Sequence, residues 1–358
     1  MIKASNGEEA LQQVQQEKPD LILLDVMMPM MDGYEVLKHL KANGRWRDVP
    51  VIMISALDDI KSVVRCIERG AEDYLPKPFE PMLLRARVNA CLEKKRLRDQ
   101  AREYSDLLER ELQSARDIQM SMVPTIFPPP EPTRPVEIFA TLEPARQVGG
   151  DLYDFFYTDE GQLCFLIGDV SDKGAPAALF MARTKTLVRL VATLLRALAG
   201  RPPTPDQIMA RVNDELCLDN SMQMFVTLFL GVLDPMSGEL QWCNAGHLVP
   251  YVLGRNGIKP LETTQDMPLG IRTSIGYDST GWTLSTGDCL FLFTDGITEA
   301  MDSEGKLFGK ERLEETLQAV VREDPSKIVT AVIEKMSEFT DGAPQSDDIA
   351  AMALRYGT

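Results

Sequence analysis

Short, wholly apolar runs that end abruptly at an acidic residue constrain this chain more than any other feature. Leu21 to Leu24 stops at Asp25, Cys164 to Ile167 stops at Gly168-Asp169, and Leu290 to Phe293 stops at Thr294-Asp295. Apolar runs of this length, bounded by polar turns, read as buried strands. A carboxylate at the mouth of a buried strand must be hydrated, paired or bound to a cation. In Gly168 to Ala182 the acid is followed by a polar turn and a long helical pattern through Ala199.

A chain of 358 residues is expected to form two or three units. Its 44% apolar content is enough to fill sizeable cores. The net charge of −16 argues against a broad nucleic-acid surface, which would need basic residues. The six cysteines (Cys66, Cys91, Cys164, Cys217, Cys243 and Cys289) contain no CxxC pair and read as buried thiols in a reducing compartment. No apolar run approaches the roughly 20 residues that span a bilayer. The expected location is the cytoplasm, with no membrane or nucleic-acid partner.

The first ninety residues alternate strand and helix patterns. Leu21 to Leu24, Val51 to Ile54 and Asp73 to Leu75 read as strands. Gly7 to Gln16, Gly33 to Lys41, Ile60 to Arg69 and Glu80 to Ala90 read as helices. That alternation implies a parallel α/β sheet with its chemistry at the strand C-termini, where Asp25, Ser55 and Lys77 fall. LILLDVMMPMMDG, VIMISA and YLPKPF together resemble the receiver domains of bacterial two-component response regulators. The resemblance implies that Asp25 is the phosphoryl acceptor, that Ser55 hydrogen-bonds the phosphate and that Lys77 pairs with it. It also implies a histidine kinase as partner. The family's first strand, first helix and Mg²⁺-binding acidic pair have no counterpart here. The sequence is therefore expected to be a fragment or to start too late, the edge of the Asp25 strand to be exposed, and Asp25 to accept phosphate poorly.

Between Cys91 and Met122 the residues Leu97, Ala101, Tyr104, Leu108, Leu112, Ala115, Ile118 and Met122 recur at threes and fours. They form one apolar stripe on a long helix, which either packs on its own domain or pairs with a twin as a coiled coil. Six prolines between Pro124 and Pro135 then end the helix. From Val136 onward many strand patterns surround grouped helices, an α+β arrangement of two sheets flanked by helices. The expected domains are an α/β receiver over 1–92 (flavodoxin-like but incomplete), a helical linker over 93–122 and an α+β sandwich over 123–358.

Four motifs of the last domain set acids beside strands: VGGDLYD (Asp151, Asp154), GDVSDKG (Asp169, Asp172), FTDGITEA (Asp295, Glu299) and QSDDIA (Asp347, Asp348). In an antiparallel sheet the end of one strand lies beside the start of the next, so these acids can meet at one edge. Clustered like charges repel, and a bound cation relieves them. An all-oxygen set favours Mg²⁺ or Mn²⁺, and two such ions suit in-line displacement at phosphorus. Any one of these acids taken singly reads most often as a turn or N-cap residue, and four with the same placement in one domain weaken that reading. Asp154, Asp172 and Asp348 read as supporting residues.

ARDIQMSMVP, VGGDLYD, GDVSDKGAPAAL, NAGH, FTDGITEA and SDDIA, in this order over Ser114 to Thr358, resemble the metal-dependent protein phosphatases of the PPM (type 2C) family, in the sporulation and stress-response branch. The resemblance implies that Asp169 contacts both of two ions, that Asp151, Asp295 and Asp347 are further ligands, and that Val170 contributes its carbonyl through a water. Asp169 and Asp295 are the expected catalytic pair. The resemblance also implies a phosphoserine or phosphothreonine protein substrate, of the kind that antagonises an anti-sigma factor. Branch members usually carry Gly where Asp172 stands. His247 reads either as a general acid or as part of a tight Asn244–His247 turn, and Arg146 as a phosphate partner or an ordinary surface residue. A receiver-linked pseudophosphatase adaptor is the competing reading. The enzyme is favoured because every matched ligand is present. A homodimer through the linker helix, its register gating the site, is the expected assembly.

Overall fold

The computed structural model describes residues 1–56, 60–255 and 257–357, and the chain divides into two compact units, Met1–Arg110 and Glu111–Thr358. The first unit runs α1 (Gly7–Gln16), β1 (Ile22–Asp25), α2 (Gly33–Ala42), β2 (Val51–Ser55), α3 (Ile60–Glu68) and β3 (Asp73–Pro76), then enters α4 (Pro81–Met122). Asn6 and Asp32 cap α1 and α2 by accepting from Glu9 N and Glu35 N. The strands form a parallel sheet in the order β1-β2-β3 over a core that includes Leu24, Val36, Leu37, Leu40 and Met53. Among the described residues strand β1 pairs with β2, and Leu23 on it is 42% exposed.

Helix α4 is a single element of 42 residues, so the helix expected over Glu80 to Ala90 and the expected linker are continuous. Pro81 occupies the helix start, where a missing N–H costs nothing, and no Gly or Pro interrupts it before Pro124. Leu97, Tyr104 and Ile118 on its apolar stripe are all more than half exposed.

Past the end of α4 the second unit runs through β4 (Val136–Glu143), β5 (Leu152–Tyr157) and β6 (Leu163–Val170), followed by α5 (Ala175–Ala199) and α6 (Pro205–Cys217). Next come β7 (Val226–Leu233), β8 (Glu239–Ala245), β9 (Tyr251–Gly254), β10 (Gly257–Pro260), β11 (Thr280–Thr283) and β12 (Cys289–Phe293). The chain closes with α7 (Asp295–Thr298), α8 (Gly309–Ala319), α9 (Pro325–Thr340) and β13 (Ile349–Tyr356). Two antiparallel sheets result, β10-β9-β12-β13-β4 and β11-β8-β7-β6-β5.

Alternation along the strands builds three layers of core. Ile138, Phe165, Ile167, Phe229, Leu290 and Met352 fill the space between the sheets. The opposite face of the β6 sheet packs on α5 and α6 through Leu166, Leu228, Met181 and Met209. The opposite face of the β12 sheet packs on α8 and α9 through Phe291, Phe308, Leu317 and Ile328. Each fully buried side chain of this size stabilises the fold by roughly 1.5–3 kcal/mol. Room for Phe165 is made by Gly231 in the middle of β7, where a Cβ would stand 2.3 Å from the ring. The two sheets with helices on both outer faces are the α+β sandwich expected, and no helix among the described residues is long and apolar enough to cross a membrane.

Candidate functional site

In the second unit four acids gather at one end of the sandwich because each ends or begins a strand there. Leu152 pairs with Gly168 across β5 and β6, so the next step of the same ladder sets Asp151 against Asp169. Phe293 pairs with Ala351 across β12 and β13, which leaves Asp295 just past one strand and Asp347 just before the other. The first pair belongs to one sheet and the second to the other. Hydrogen bonds join the sheets at this end: Thr294 Oγ1 donates to Asp151 Oδ2 at 2.6 Å, and Gly150 N donates to Asp348 Oδ2 at 2.6 Å.

The acids sense one another. Burial pushes the Asp151 carboxyl well above the ordinary carboxylate range, and the charge of Asp169 pushes it further. Asp169 is raised by burial and then by Asp295 and Asp347. Asp295 is raised by burial and by Asp347, with Lys173 opposing. Negative charge is thus concentrated where desolvation already disfavours it, the setting in which a divalent cation is the strongest remedy. The donors are all oxygen, which fits Mg²⁺ or Mn²⁺. The carbonyl of Val170 lies beside Gly150, where a Cβ would come within 2.9 Å of it. A cationic stand-in is already present: Lys173 Nζ lies 2.7 Å from Asp347 Oδ2 and 2.9 Å from the carbonyl of Ser346. Among the described residues no three Asp, Glu, His or Cys side chains are drawn around a common point in ligand geometry. The residues therefore fit a divalent ion in chemistry and charge, with Asp347 held by a lysine.

The supporting acids have separate tasks. Asp348 is buried and accepts from Ala145 N at 2.8 Å as well as from Gly150 N, so it clamps the loop before Asp151. Gly149 and Gly296 are glycine because Asp348 lies against both: a Cβ would stand 2.2 Å from its carboxylate at Gly149 and 1.9 Å from its carbonyl at Gly296. Asp154 is fully buried and paired with Lys185 at 3.1 Å and with the Arg189 guanidinium, which fastens β5 to α5. Asp172 is exposed and adopts φ of 68°, the left-handed region. That backbone is the physical reason Gly suits this position, and Asp is among the few other residues that tolerate it.

His247 is buried within the turn. Its N–H donates to Asn244 Oδ1 at 2.8 Å, Asn244 Nδ2 donates back to its carbonyl at 3.1 Å, and Gly246 supplies φ of 72°. Its ring Nδ1 lies 3.0 Å from Thr227 Oγ1, and burial drags its pKa down to about 4. A neutral imidazole built into a turn is the simpler of its two readings. Arg146 is exposed, and its carbonyl accepts from Arg116 at 3.1 Å.

Sequence reasoning passed over four residues here: Lys173, Thr294, Thr227 and Gln119. Thr227 stands opposite Asp169 in the β6–β7 ladder. The Gln119 amide donates to the carbonyl of Gly149 at 2.6 Å and accepts from its N–H at 3.1 Å, tying the end of α4 to the loop before Asp151. A buried amide at a helix end carries no periodic signal. The adjacency of Thr294 to Asp295 was visible, but not that its hydroxyl would cross between sheets.

The first unit holds a second, smaller acidic site. Asp25, Ser55 and Pro76 end the three parallel strands, and the Lys77 ammonium contacts Asp25 Oδ2. The backbone N–H of Lys77 donates to the carbonyl of Ser55 at 2.7 Å. Ser55 is buried. The three residues expected at this edge therefore meet there.

Comparison with known proteins agrees with both units. Residues 159–357 match the family described as Stage II sporulation protein E (SpoIIE), and residues 1–89 match the response regulator receiver domain. Protein IcfG of Synechocystis is 32% identical over 275 residues, covering 71% of this chain and 43% of that protein, so the chain spans less than half of that relative. Among solved structures, the SiaA-PP2C domain of Pseudomonas aeruginosa superposes with a TM-score of 0.60 at 19% identity, covering 71% of this chain and 98% of that one. The PP2C phosphatase domain of SpoIIE from Bacillus subtilis gives 0.52 at 19% identity, covering 62% and 63%. At these identities the two structures speak to the fold.

Proposed function

The chain belongs to the SpoIIE family and carries a response-regulator receiver domain, and from that premise we propose that it is a metal-dependent phosphatase acting on phosphoserine or phosphothreonine in a protein. The observation that carries this reading is the placement of Asp151, Asp169, Asp295 and Asp347 at one end of the sandwich, where Asp151, Asp169 and Asp295 are raised by burial and by neighbouring carboxylates. Asp169 stands against Asp151 across β5 and β6 and feels the charges of Asp295 and Asp347 from the other sheet; it would share two ions, with Asp151, Asp295, Asp347 and the Val170 carbonyl completing their environment. Two Mg²⁺ or Mn²⁺ ions, when bound, would supply the positive charge that activates a water and stabilises the phosphoryl oxygens. Thr294 orients Asp151 by its 2.6 Å hydrogen bond, and Asp348 fixes the loop that presents it. Asp169 and Asp295 carry the largest share of the chemistry.

The substrate class is a phosphorylated protein of the kind that antagonises an anti-sigma factor, and the receiver's partner is a histidine kinase. The receiver acts on the phosphatase through α4, whose Gln119 grips Gly149 two residues before Asp151. The exposed stripe on α4 supports a homodimer in which helix register sets that grip. Hydrolysis of an aryl phosphate with Mn²⁺ by the wild type, compared with Asp169→Asn and Asp295→Asn, tests the reading. Activity lost in both variants is expected. Wild type and variants all inactive, with partner binding retained, would make the chain an adaptor.

A further inference from the structure

The loop between β6 and α5 sends a lysine across to the other sheet. Lys173 lies four residues after Asp169, bracketed by left-handed backbone at Asp172 (φ 68°) and Gly174 (φ 79°). Its ammonium reaches Asp347 Oδ2 at 2.7 Å and the Ser346 carbonyl at 2.9 Å. Among the described residues it forms the one ion pair made by Asp151, Asp169, Asp295 or Asp347. The Lys173 side chain is 40% exposed and that of Asp347 is 29% exposed, so the pair is held firmly enough to be populated and loosely enough to open.

We infer that Lys173 is a built-in counter-ion which holds Asp347 in the metal-free protein and competes with the divalent cation for it. The inference rests on the metal reading above. A carboxylate oxygen engaged by an ammonium is not free for an ion, and the ammonium also repels an incoming cation. Apparent affinity falls by the fraction of molecules in which the ligand is engaged. Lys173 therefore stabilises the metal-free fold and weakens metal binding at once. Those two effects have opposite signs, which an ordinary structural lysine would not produce.

The test is a calorimetric titration of the full chain with Mn²⁺, without substrate, for the wild type, Lys173→Met and Lys173→Arg, paired with thermal melts in chelator. Lys173→Met is expected to bind Mn²⁺ about three- to tenfold tighter, given the usual strength of a half-exposed pair plus the relieved repulsion. It should melt lower than the wild type in chelator and match it in excess Mn²⁺. Lys173→Arg, which keeps the charge, should bind like the wild type. Equal or weaker Mn²⁺ binding by Lys173→Met overturns the inference while leaving the metal reading intact. Absence of Mn²⁺ uptake in all three proteins overturns the metal reading and this inference with it.

Discussion

Asp25 and Asp169 begin from the same sequence pattern, an apolar strand that ends in an acid, and fold into opposite electrostatic situations. Asp25 stands at the tip of a parallel strand and meets one ammonium, that of Lys77. Their side chains are 34% and 42% exposed, so water shares the work and the pair is balanced one to one. Asp169 stands at the edge of an antiparallel sandwich, where three further acids arrive from other strands and, among the described residues, one lysine pairs with one of the four, Asp347. Antiparallel pairing accounts for the difference, because it sets strand ends beside strand starts and so stacks acids from distant motifs. A single acid at a strand tip can be satisfied by a lysine. Four acids with one lysine leave a deficit of positive charge, and that deficit, rather than any one residue, marks the second site.

The comparison breaks most readily at Asp169. Asp169→Asn is expected to lower aryl-phosphate turnover a thousandfold or more, because even one lost charge-stabilising group costs about 10²–10³ and Asp169 would serve two ions. Steady-state kinetics in Mn²⁺ checks this, and turnover within tenfold of the wild type would place the chemistry elsewhere. A different acid calibrates what burial alone does. Asp154 is fully buried but paired twice, so Asp154→Ala strands Lys185 and Arg189 and should cost about 3 kcal/mol of stability by urea unfolding. Loss of well under 1 kcal/mol would mean that the β5–α5 tie is unimportant.

The charge deficit also has a pH signature. Asp151, Asp169 and Asp295 have raised carboxyls in the fold, so the folded state binds more protons than the unfolded one between the ordinary carboxylate range, near pH 4, and those raised values. Stability of the chelated protein should therefore fall as pH rises through that window, and Mn²⁺ should flatten the slope. Unfolding midpoints at pH 5, 6, 7 and 8 with and without Mn²⁺ measure it, and a rising trend in chelator would contradict the deficit. The balanced site should respond least. Lys77→Ala removes a solvent-exposed pair and should change the stability of the first unit by about 0–1 kcal/mol. A larger loss by urea unfolding would show that Asp25 depends on its lysine more than its exposure suggests.

How far the sequence reveals these sites follows from the range of the interactions. Strands that stop at or beside Asp25, Asp169 and Asp295 are legible because burial and turn chemistry are local, and so is the sandwich, since its strand patterns follow one another around grouped helices. The short pair β9 and β10 carries little sequence signal, since YVLG and GIKP are brief and two of the four residues of the second are exposed. The candidate ligands were legible from motif order, but the lysine on Asp347 was not. Lys173 and Asp347 are separated by 174 residues, and nothing local in GDVSDKG aims the side chain across to another sheet. Asp172 was noticed as a departure, and only its backbone angle supplied the reason.

The central claim is that the acids around Asp169 form one divalent-cation site used for phosphate hydrolysis. Equilibrium dialysis of the full chain against Mn²⁺, with wild type and Asp169→Asn side by side, tests it most directly. Two ions per wild-type chain, and a marked loss of both in Asp169→Asn, are the predicted result. Equal Mn²⁺ uptake by the two proteins would contradict it.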